Sequence, residues 1–387
     1  MSPKQAIAPH PSVEERTERG RRTRKEVPRG AHAAWEPAPG RHDPVDLLEE
    51  QAATRVPELV PLRYGRMLVS PFTFYRGAAY LMAADLAGQP RTDLNTQLCG
   101  DSHLSNFGTF AAPDRTLVFD VNDFDETLPG PFEWDLKRLA ASFAVAGRDR
   151  GFAKKARAAV NLEVGRSYRE AMRGHAAERT LDSWYSRVHV EEILARAAAV
   201  GTRKQLRRAE KNIAKARSKD SLRAFGKLTE AVDGELRIRN DPPVIVPIHE
   251  LVDAEHHRAL DEALQTLIRS YRATLPGDRR QLLERFRYVD AAHKVVGVGS
   301  VGTRAWIMLM LGRDNADPLF LQFKEAEASV LEPFLGASEY EQHGQRVVEG
   351  QRLMQAAGDI MLGWVRTSGV DGVERDGVPS PVGLSGV

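Results

Sequence analysis

The feature that most constrains this chain is a short polar loop after an apolar strand-like segment. Gly100 and Asp101 open the loop, and Asn106 comes five residues after Asp101. Asp123 follows a second apolar segment, Leu117–Val121. Carboxylate and amide oxygens brought together in this way are ligands that suit Mg²⁺. The pattern therefore predicts a metal and phosphate site, with Asn106 and Asp123 as metal ligands and Asp101 as the group that orients or deprotonates an attacking hydroxyl.

The order of these residues resembles the aminoglycoside and choline phosphotransferase branch of the protein-kinase-like superfamily. That branch carries a His-Gly-Asp-x-x-x-x-Asn loop, and here Cys99 stands where the histidine is usual. The resemblance implies that Asp135, which opens the next helix, steadies the catalytic loop. Asp120 is the alternative metal ligand. Asp123 is favoured because its spacing of 12 residues to Asp135 suits the family better than the 15 residues from Asp120.

A glycine-rich segment lies late in the chain rather than before Asp101. Gly297, Gly299, Ser300 and Gly302 are followed by two predicted strands, and Lys324 ends the second of them. A strand rather than a helix after the glycines argues against a dinucleotide-binding fold. The order of glycine loop, hairpin and lysine is that of the kinase small lobe, so these residues are predicted to hold the phosphates of ATP.

An acidic residue on the following helix is expected to orient Lys324. Glu349 is the main candidate for that role, and Glu325 and Glu332 are alternatives. Arg304 could add a phosphate contact.

Further polar residues are weaker candidates. Arg63, Arg66 and Arg76 could meet phosphate, although arginines are more often on the surface or in salt bridges. His103 could contact substrate or metal, although a lone histidine is more often structural. These side chains are therefore not assigned to the site.

The sequence as a whole resembles a bacterial family of unknown function, domain-of-unknown-function family 2252, from about residue 63 to residue 364. The resemblance implies an α+β, protein-kinase-like, two-lobe fold that is circularly permuted. A disordered basic tail is expected over residues 1–42, a mainly helical catalytic lobe over 43–289, a β-rich nucleotide lobe over 290–366 and a disordered tail over 367–387. Family members continue past the equivalent of Trp364, so part of the small lobe is expected to be missing.

Composition narrows the partners and the compartment. The net charge is only +2, which gives no field that would select nucleic acid. The basic segment Arg203–Lys219 is polar all round, which is typical of a solvated helix. Cys99 is the single cysteine, which excludes an internal disulfide and a multi-cysteine zinc site. No secretory signal and no long apolar span is apparent, so a cytoplasmic protein without a membrane span is expected.

The resulting expectation is an ATP- and Mg²⁺-dependent phosphotransferase whose acceptor, a small molecule or a protein, the sequence does not name. Two alternatives stay open. One is a catalytically inactive nucleotide-binding or interaction protein, as in a pseudokinase. The other is nucleotidyl transfer to protein, which can use the same groups with the nucleotide reversed.

Overall fold

The computed structural model describes residues 10–33, 35–217, 221–232, 235–251, 257–294, 301–367 and 380–386. The fold is α+β, as the sequence predicts: about half of the chain is helical, and strands make up a smaller part. Within these ranges no helix combines the length and the apolar character needed to cross a membrane.

The α-helices of the described residues are α1 Val13–Glu26, α2 Pro44–Ala52, α3 Val60–Met67, α4 Pro71–Arg76, α5 Ala79–Ala87, α6 Glu133–Asp149, α7 Lys154–Ala177, α8 Thr180–Trp184, α9 Val190–Val200, α10 Arg203–Arg217, α11 Ser221–Leu228, α12 Ile248–Leu251, α13 His257–Thr274, α14 Gly277–Leu283, α15 Glu332–Leu335 and α16 His343–Met354. The strands are β1 Asn95–Leu98, β2 Phe107–Ala111, β3 Leu117–Val121, β4 Leu128–Pro131, β5 Val188–His189, β6 Thr229–Val232, β7 Glu235–Ile238, β8 Ile245–Pro247, β9 Arg287–Lys294, β10 Ala305–Leu311, β11 Pro318–Glu325, β12 Gly363–Thr367 and β13 Ser380–Gly386.

The largest sheet has six strands in the order β12-β13-β11-β10-β9-β8. Every neighbouring pair in it is antiparallel. β10 reads as a continuous apolar run because both of its faces are covered. Met308 packs with the side chains of α13 on one face, and Ile307 packs with Ile238 on the other. Alternate residues of a strand point to opposite faces, which explains why the run does not alternate with polar residues.

Smaller sheets and helices carry the residues of the polar loop. β1 pairs with β4, and β2 pairs with β3 in a hairpin. α6 lies beside them, with Trp134 in an apolar cluster that also contains Leu98 and Leu128. A separate cluster joins Cys99 and Val121 to Ala326, from the segment after β11, and to Val347 of α16. The polar loop and the end of the large sheet are therefore packed against each other.

Several expected boundaries differ from the structure. Residues 1–42 were expected to be disordered, but Val13–Glu26 is a helix whose N-terminal Ser12 forms a capping box with Glu15. α13 packs on the large sheet, so the chain joins that sheet well before residue 290, where the boundary was expected. Part of the tail 367–387 also departs from expectation, because β13 pairs with β11 and β12.

Candidate active site

A cleft of about 410 Å³ brings together the loop after β1, the segment after β3 and the segment after β11. Asp101, Asn106 and Asp123 all line this cleft, as does His103. Asp120 is not among the lining residues that the structure describes. The three residues that the sequence grouped together thus share one surface, and the alternative aspartate lies outside it.

One face of α6 holds the polar loop in place. Asp135 accepts hydrogen bonds from the backbone N–H groups of Cys99 (2.8 Å) and Gly100 (3.1 Å). Seven residues further along α6, the Ser142 hydroxyl accepts a bond from the N–H of Leu104 at 3.0 Å. Residues at this spacing lie on one side of a helix. Asp135 therefore contacts the loop that the resemblance assigned to it, and burial raises its pKa to about 6.

Arg138 lies on the same face and fixes the carboxylate of Asp101. Its Nε donates to Asp101 Oδ1 at 2.6 Å, and its guanidinium also faces the ring of Tyr75 at 4.6 Å. Asp101 Oδ2 lies 3.7 Å from His103 Nε2. Burial lowers the pKa of His103, which favours a neutral imidazole at physiological pH. Asp101 is thus held rigidly, with one oxygen committed to Arg138.

Asn106 is oriented by the loop itself. Its Nδ2 donates to the carbonyl oxygen of Asp101 at 2.8 Å, which leaves Oδ1 as the amide atom available to a cation. The backbone carbonyl of Asn106 accepts from the N–H of Asn122 at 3.0 Å, so the segment that carries Asp123 is tied to the loop. Side chains with oxygen donors suit Mg²⁺, which is commonly held by one or two carboxylates together with substrate phosphates. The donors of Asn106 and Asp123 fit that chemistry.

Groups of three or more His, Cys, Asp or Glu side chains that could hold a metal are not found among the described residues. The candidate ligands Asn106 and Asp123 are one amide and one carboxylate, so they do not form such a group.

Lys324 lies beside the aspartates that follow β3. Its Nζ is 3.8 Å from Asp123 Oδ1 and 3.3 Å from Asp125 Oδ2, although Lys324 follows Asp125 by 199 residues. The two carboxylates, Asp123 first, raise the pKa of Lys324 above its ordinary value. Burial, with the charge of Asp123, raises the pKa of Asp125. Lys324 and Asp123, which the sequence places in one predicted site, lie side by side in the structure.

The acidic residues that were expected to orient Lys324 pair with other side chains. Glu349 accepts from Arg352 at 3.0 Å, because the two residues are three positions apart on α16 and therefore adjacent on its surface. The alternatives also have other partners: Glu325 pairs with Arg304 at 2.9 Å, and Glu332 lies 3.8 Å from Arg346.

The glycine segment is only partly within the described residues. Gly297, Gly299 and Ser300 lie outside them. Gly302 has a φ of +95°, a region that favours glycine, and its carbonyl accepts from the N–H of Val56 at 2.9 Å. Arg304 donates to the carboxylate of Glu325, and its expected contact with phosphate stays a prediction.

Two residues that bear on the site were not singled out from the sequence. Arg138 could have been noticed, because it follows Asp135 by one helical turn. Arg346 is 2% exposed and donates to the carbonyl oxygens of Thr127 (2.6 Å), Asp125 (2.8 Å) and Glu327 (2.8 Å). These bonds join α16 to both loops of the cleft. No local pattern marks such a residue, because its partners are distant in the sequence.

Together these features define an α+β protein with a polar cleft between a helix-supported acidic loop and the end of an antiparallel sheet. The chain belongs to the family described as uncharacterized proteins conserved in bacteria, DUF2252, which it matches over residues 55–382. That match extends beyond residues 63 to 364, over which the sequence resembles the family. No curated protein matches the sequence. No solved structure matches it either.

Proposed function

We propose that this chain is a kinase-like, ATP- and Mg²⁺-dependent phosphotransferase of the cytoplasm, with its catalytic residues before its nucleotide-binding residues in the chain. The observation that carries the proposal is the contact between Lys324 and Asp123, two residues far apart in sequence, beside the loop of Asp101 and Asn106. Phosphoryl transfer requires positioning and charge stabilisation more than covalent chemistry, and these side chains supply both.

The roles follow from the contacts. Asp101 is held by Arg138 at Oδ1, so its other oxygen is the one to orient the hydroxyl of an acceptor. Asn106 and Asp123 would hold Mg²⁺, which when bound neutralises the charge of the phosphate oxygens. Lys324 is a cation at the same place and would contact the phosphates of the nucleotide, with Gly302 at the end of the glycine loop.

A second candidate is a nucleotide-binding protein without turnover. It is favoured by the ion pair between Asp101 and Arg138, which engages an oxygen of the proposed base, and by the pairing of Glu349 with Arg352 instead of Lys324. Nucleotidyl transfer to protein is a variant of the first proposal, because it uses the same metal and phosphate contacts.

The test is incubation of the purified chain with Mg²⁺ and ATP labelled at either the α- or the γ-phosphate. Label transferred to protein or to a bacterial lysate from γ-labelled ATP supports phosphoryl transfer, and label from α-labelled ATP supports nucleotidyl transfer. Asp101→Asn should keep the circular-dichroism spectrum and lose the transfer, whereas Asp149→Asn at the end of α6 should retain it. Transfer that persists in Asp101→Asn would show that the assigned role is wrong.

Nucleotide binding without any transfer in the wild-type chain would favour the second candidate. Calorimetry with Mg²⁺ and ATP supplies that measurement. The absence of nucleotide binding would contradict both candidate functions.

A further inference from the structure

Two buried arginines beside the cleft have neutral hydrogen-bond partners. Arg55 is 7% exposed, and its Nη1 donates to the carbonyl oxygen of Val301 at 2.6 Å. Arg63 is 0% exposed, and its Nη2 donates to the side-chain oxygen of Gln51 (2.7 Å) and the carbonyl oxygen of Gly77 (3.1 Å). Among the described residues, Nε of Arg55 and both Nε and Nη1 of Arg63 have no hydrogen-bond partner.

This arrangement is costly without an anion. A buried charge is normally paired, because removing it from water costs several kcal/mol. Burial lowers the pKa of both side chains, and burial together with the charge of Arg55 lowers that of Arg63 to about 10. Two guanidinium groups that repel each other at the edge of a cleft indicate a place where negative charge is bound.

A third arginine extends this positive region toward the acidic loop. Arg76 is half-buried and lines the same cleft as Arg55, and its Nε is also without a hydrogen-bond partner in the described part of the chain. Burial is the main cause of the lowered pKa of His103, and the charges of Arg138 and Arg76 add to it, so Arg76 lies near the loop that carries Asp101. Arg55, in contrast, is held against the Val301 carbonyl, next to Gly302. The two arginines thus approach the cleft from the glycine segment and from the acidic loop.

Two of the three acidic side chains nearby have other partners. Glu327, Glu126 and Asp125 raise the pKa of Arg55 through their charge. However, Glu126 accepts from the N–H of Val330 at 2.7 Å, and Asp125 accepts from Lys324. Within the described ranges, no salt bridge joins Arg55 to any of the three. Their presence reduces the positive potential at Arg55 but does not occupy its Nε.

We propose that Arg55 and Arg76 form a subsite for a tetrahedral oxyanion of the phosphate type, with Arg63 behind them as a buried supporting charge. Guanidinium groups match phosphate oxygens in geometry and bind them with charge-assisted hydrogen bonds. The assignment of this oxyanion to the terminal phosphate of the nucleotide or to an anionic group of the acceptor rests on the proposed phosphotransfer. The existence of the subsite does not depend on the proposed phosphotransfer.

The subsite is tested first without metal. Inorganic phosphate, pyrophosphate and tripolyphosphate are titrated into the metal-free, full-length chain by calorimetry. Binding is expected in the wild type and should weaken about tenfold or more in Arg76→Gln, since charge-assisted hydrogen bonds are lost. Arg313→Gln, which removes the same charge from an exposed hairpin, should bind as the wild type does.

Arg55→Lys provides a second variant, because it keeps the buried charge and changes only the geometry of the donors. It is expected to fold, to be checked by its thermal transition, and to bind pyrophosphate several-fold more weakly. Absence of binding to all three probes in the wild type would overturn the proposal. So would wild-type affinity in both Arg76→Gln and Arg55→Lys.

The source of the oxyanion is then separated with nucleotides. If the subsite holds a terminal phosphate, Arg76→Gln lowers the affinity for Mg²⁺ with ATP more than that for Mg²⁺ with ADP. If it holds an acceptor group, the ratio of the two affinities is unchanged and phosphate still binds the chain that is loaded with ATP. Binding of metal-free phosphate without any binding of Mg²⁺ and ATP would refute the proposed phosphotransfer and leave the subsite standing.

Discussion

At the scale of the residue, the two aspartates near the end of β3 differ in their surroundings. Asp120 accepts a bond from the N–H of Val121, the next residue, at 2.8 Å, and burial raises its pKa. Asp123 lines the cleft and lies 3.8 Å from Lys324. A metal ligand has to face the phosphates, so this difference favours Asp123.

Substitution of each aspartate tests this assignment. Asp123→Asn is expected to weaken the binding of ATP in the presence of Mg²⁺ by roughly tenfold or more, because a metal ligand loses its charge. Asp120→Asn should change that affinity by no more than about twofold, because Asp120 is not the proposed metal ligand. Calorimetric titration of both variants gives the comparison. A larger loss of affinity in Asp120→Asn than in Asp123→Asn would instead assign the role of metal ligand to Asp120.

Glu126 makes stability depend on pH. Burial raises its pKa from 4.5 to about 7, so the folded protein holds this proton more tightly than the unfolded chain does. Stability from Glu126 is therefore fully present below about pH 4 and decreases as the pH rises through 7, by about 3 kcal/mol.

The variant Glu126→Gln removes that titration and keeps an oxygen that can accept from Val330. Urea unfolding at pH 5 and pH 8 should show a smaller loss of stability in the variant than in the wild type. An equal loss in the two proteins would mean that Glu126 does not titrate in this range.

At the scale of the element, the loop that begins at Gly100 depends on close backbone contact. Gly100 has a φ of +83°, and a Cβ at this position would collide with the backbone carbonyl of Glu126. A side chain is therefore excluded both by conformation and by space. The loop also donates backbone hydrogen bonds to Asp135 and Ser142 of α6, so its shape is determined by two neighbours that come later in the sequence.

Gly100→Ala is expected to destabilise the protein by about 2–4 kcal/mol, from the left-handed conformation and the steric overlap together. Gly165→Ala is the matched control, because Gly165 lies inside α7 with no atom within 4 Å of an added Cβ. That control should stabilise by about 0.5–1 kcal/mol, since alanine favours the helix. Urea unfolding measures the stability of both variants. Similar changes in stability in Gly100→Ala and Gly165→Ala would contradict the geometry described for Gly100.

Elements were predictable where a local pattern is sufficient. The strands Leu117–Val121 and Ala305–Leu311 occur where the apolar runs predict them, and α6 covers Trp134 to Arg148, where apolar residues recur at helical spacing. Asp43 caps α2 by accepting from the N–H of Val45, although the sequence favours Asp46 for this role equally well. Both acidic residues precede or open the same apolar stretch, and the pattern alone does not choose between them.

Partners were less predictable than elements. Asp101, Asn106 and Asp123 share a cleft as the motif indicated, because short connections in the chain bring them together. The partner of Glu349 was not predictable, since it depends on how α16 is oriented against the large sheet. Glu349 pairs within its own helix, whereas Lys324 pairs with a segment about 200 residues earlier.

At the scale of the whole molecule, one buried side chain connects the two sides of the cleft. Arg346 of α16 bonds to carbonyl oxygens of both the segment after β3 and the segment after β11. The apolar cluster of Cys99, Val121 and Ala326 lies beneath the same region. The kinase-like, permuted arrangement of lobes stays a prediction, and it requires that these two sides bind one nucleotide between them.

The most direct measurement of that requirement is calorimetric titration of ATP with Mg²⁺ into the full-length wild type and into Lys324→Met. The account predicts that the wild type binds only when Mg²⁺ is present and that Lys324→Met binds about tenfold or more weakly, since a charge-assisted phosphate contact is lost. Lys154→Met, a change of the same kind on exposed residues of α7, should bind as the wild type does. Undetectable binding in the wild type, or wild-type affinity in Lys324→Met, would contradict the account.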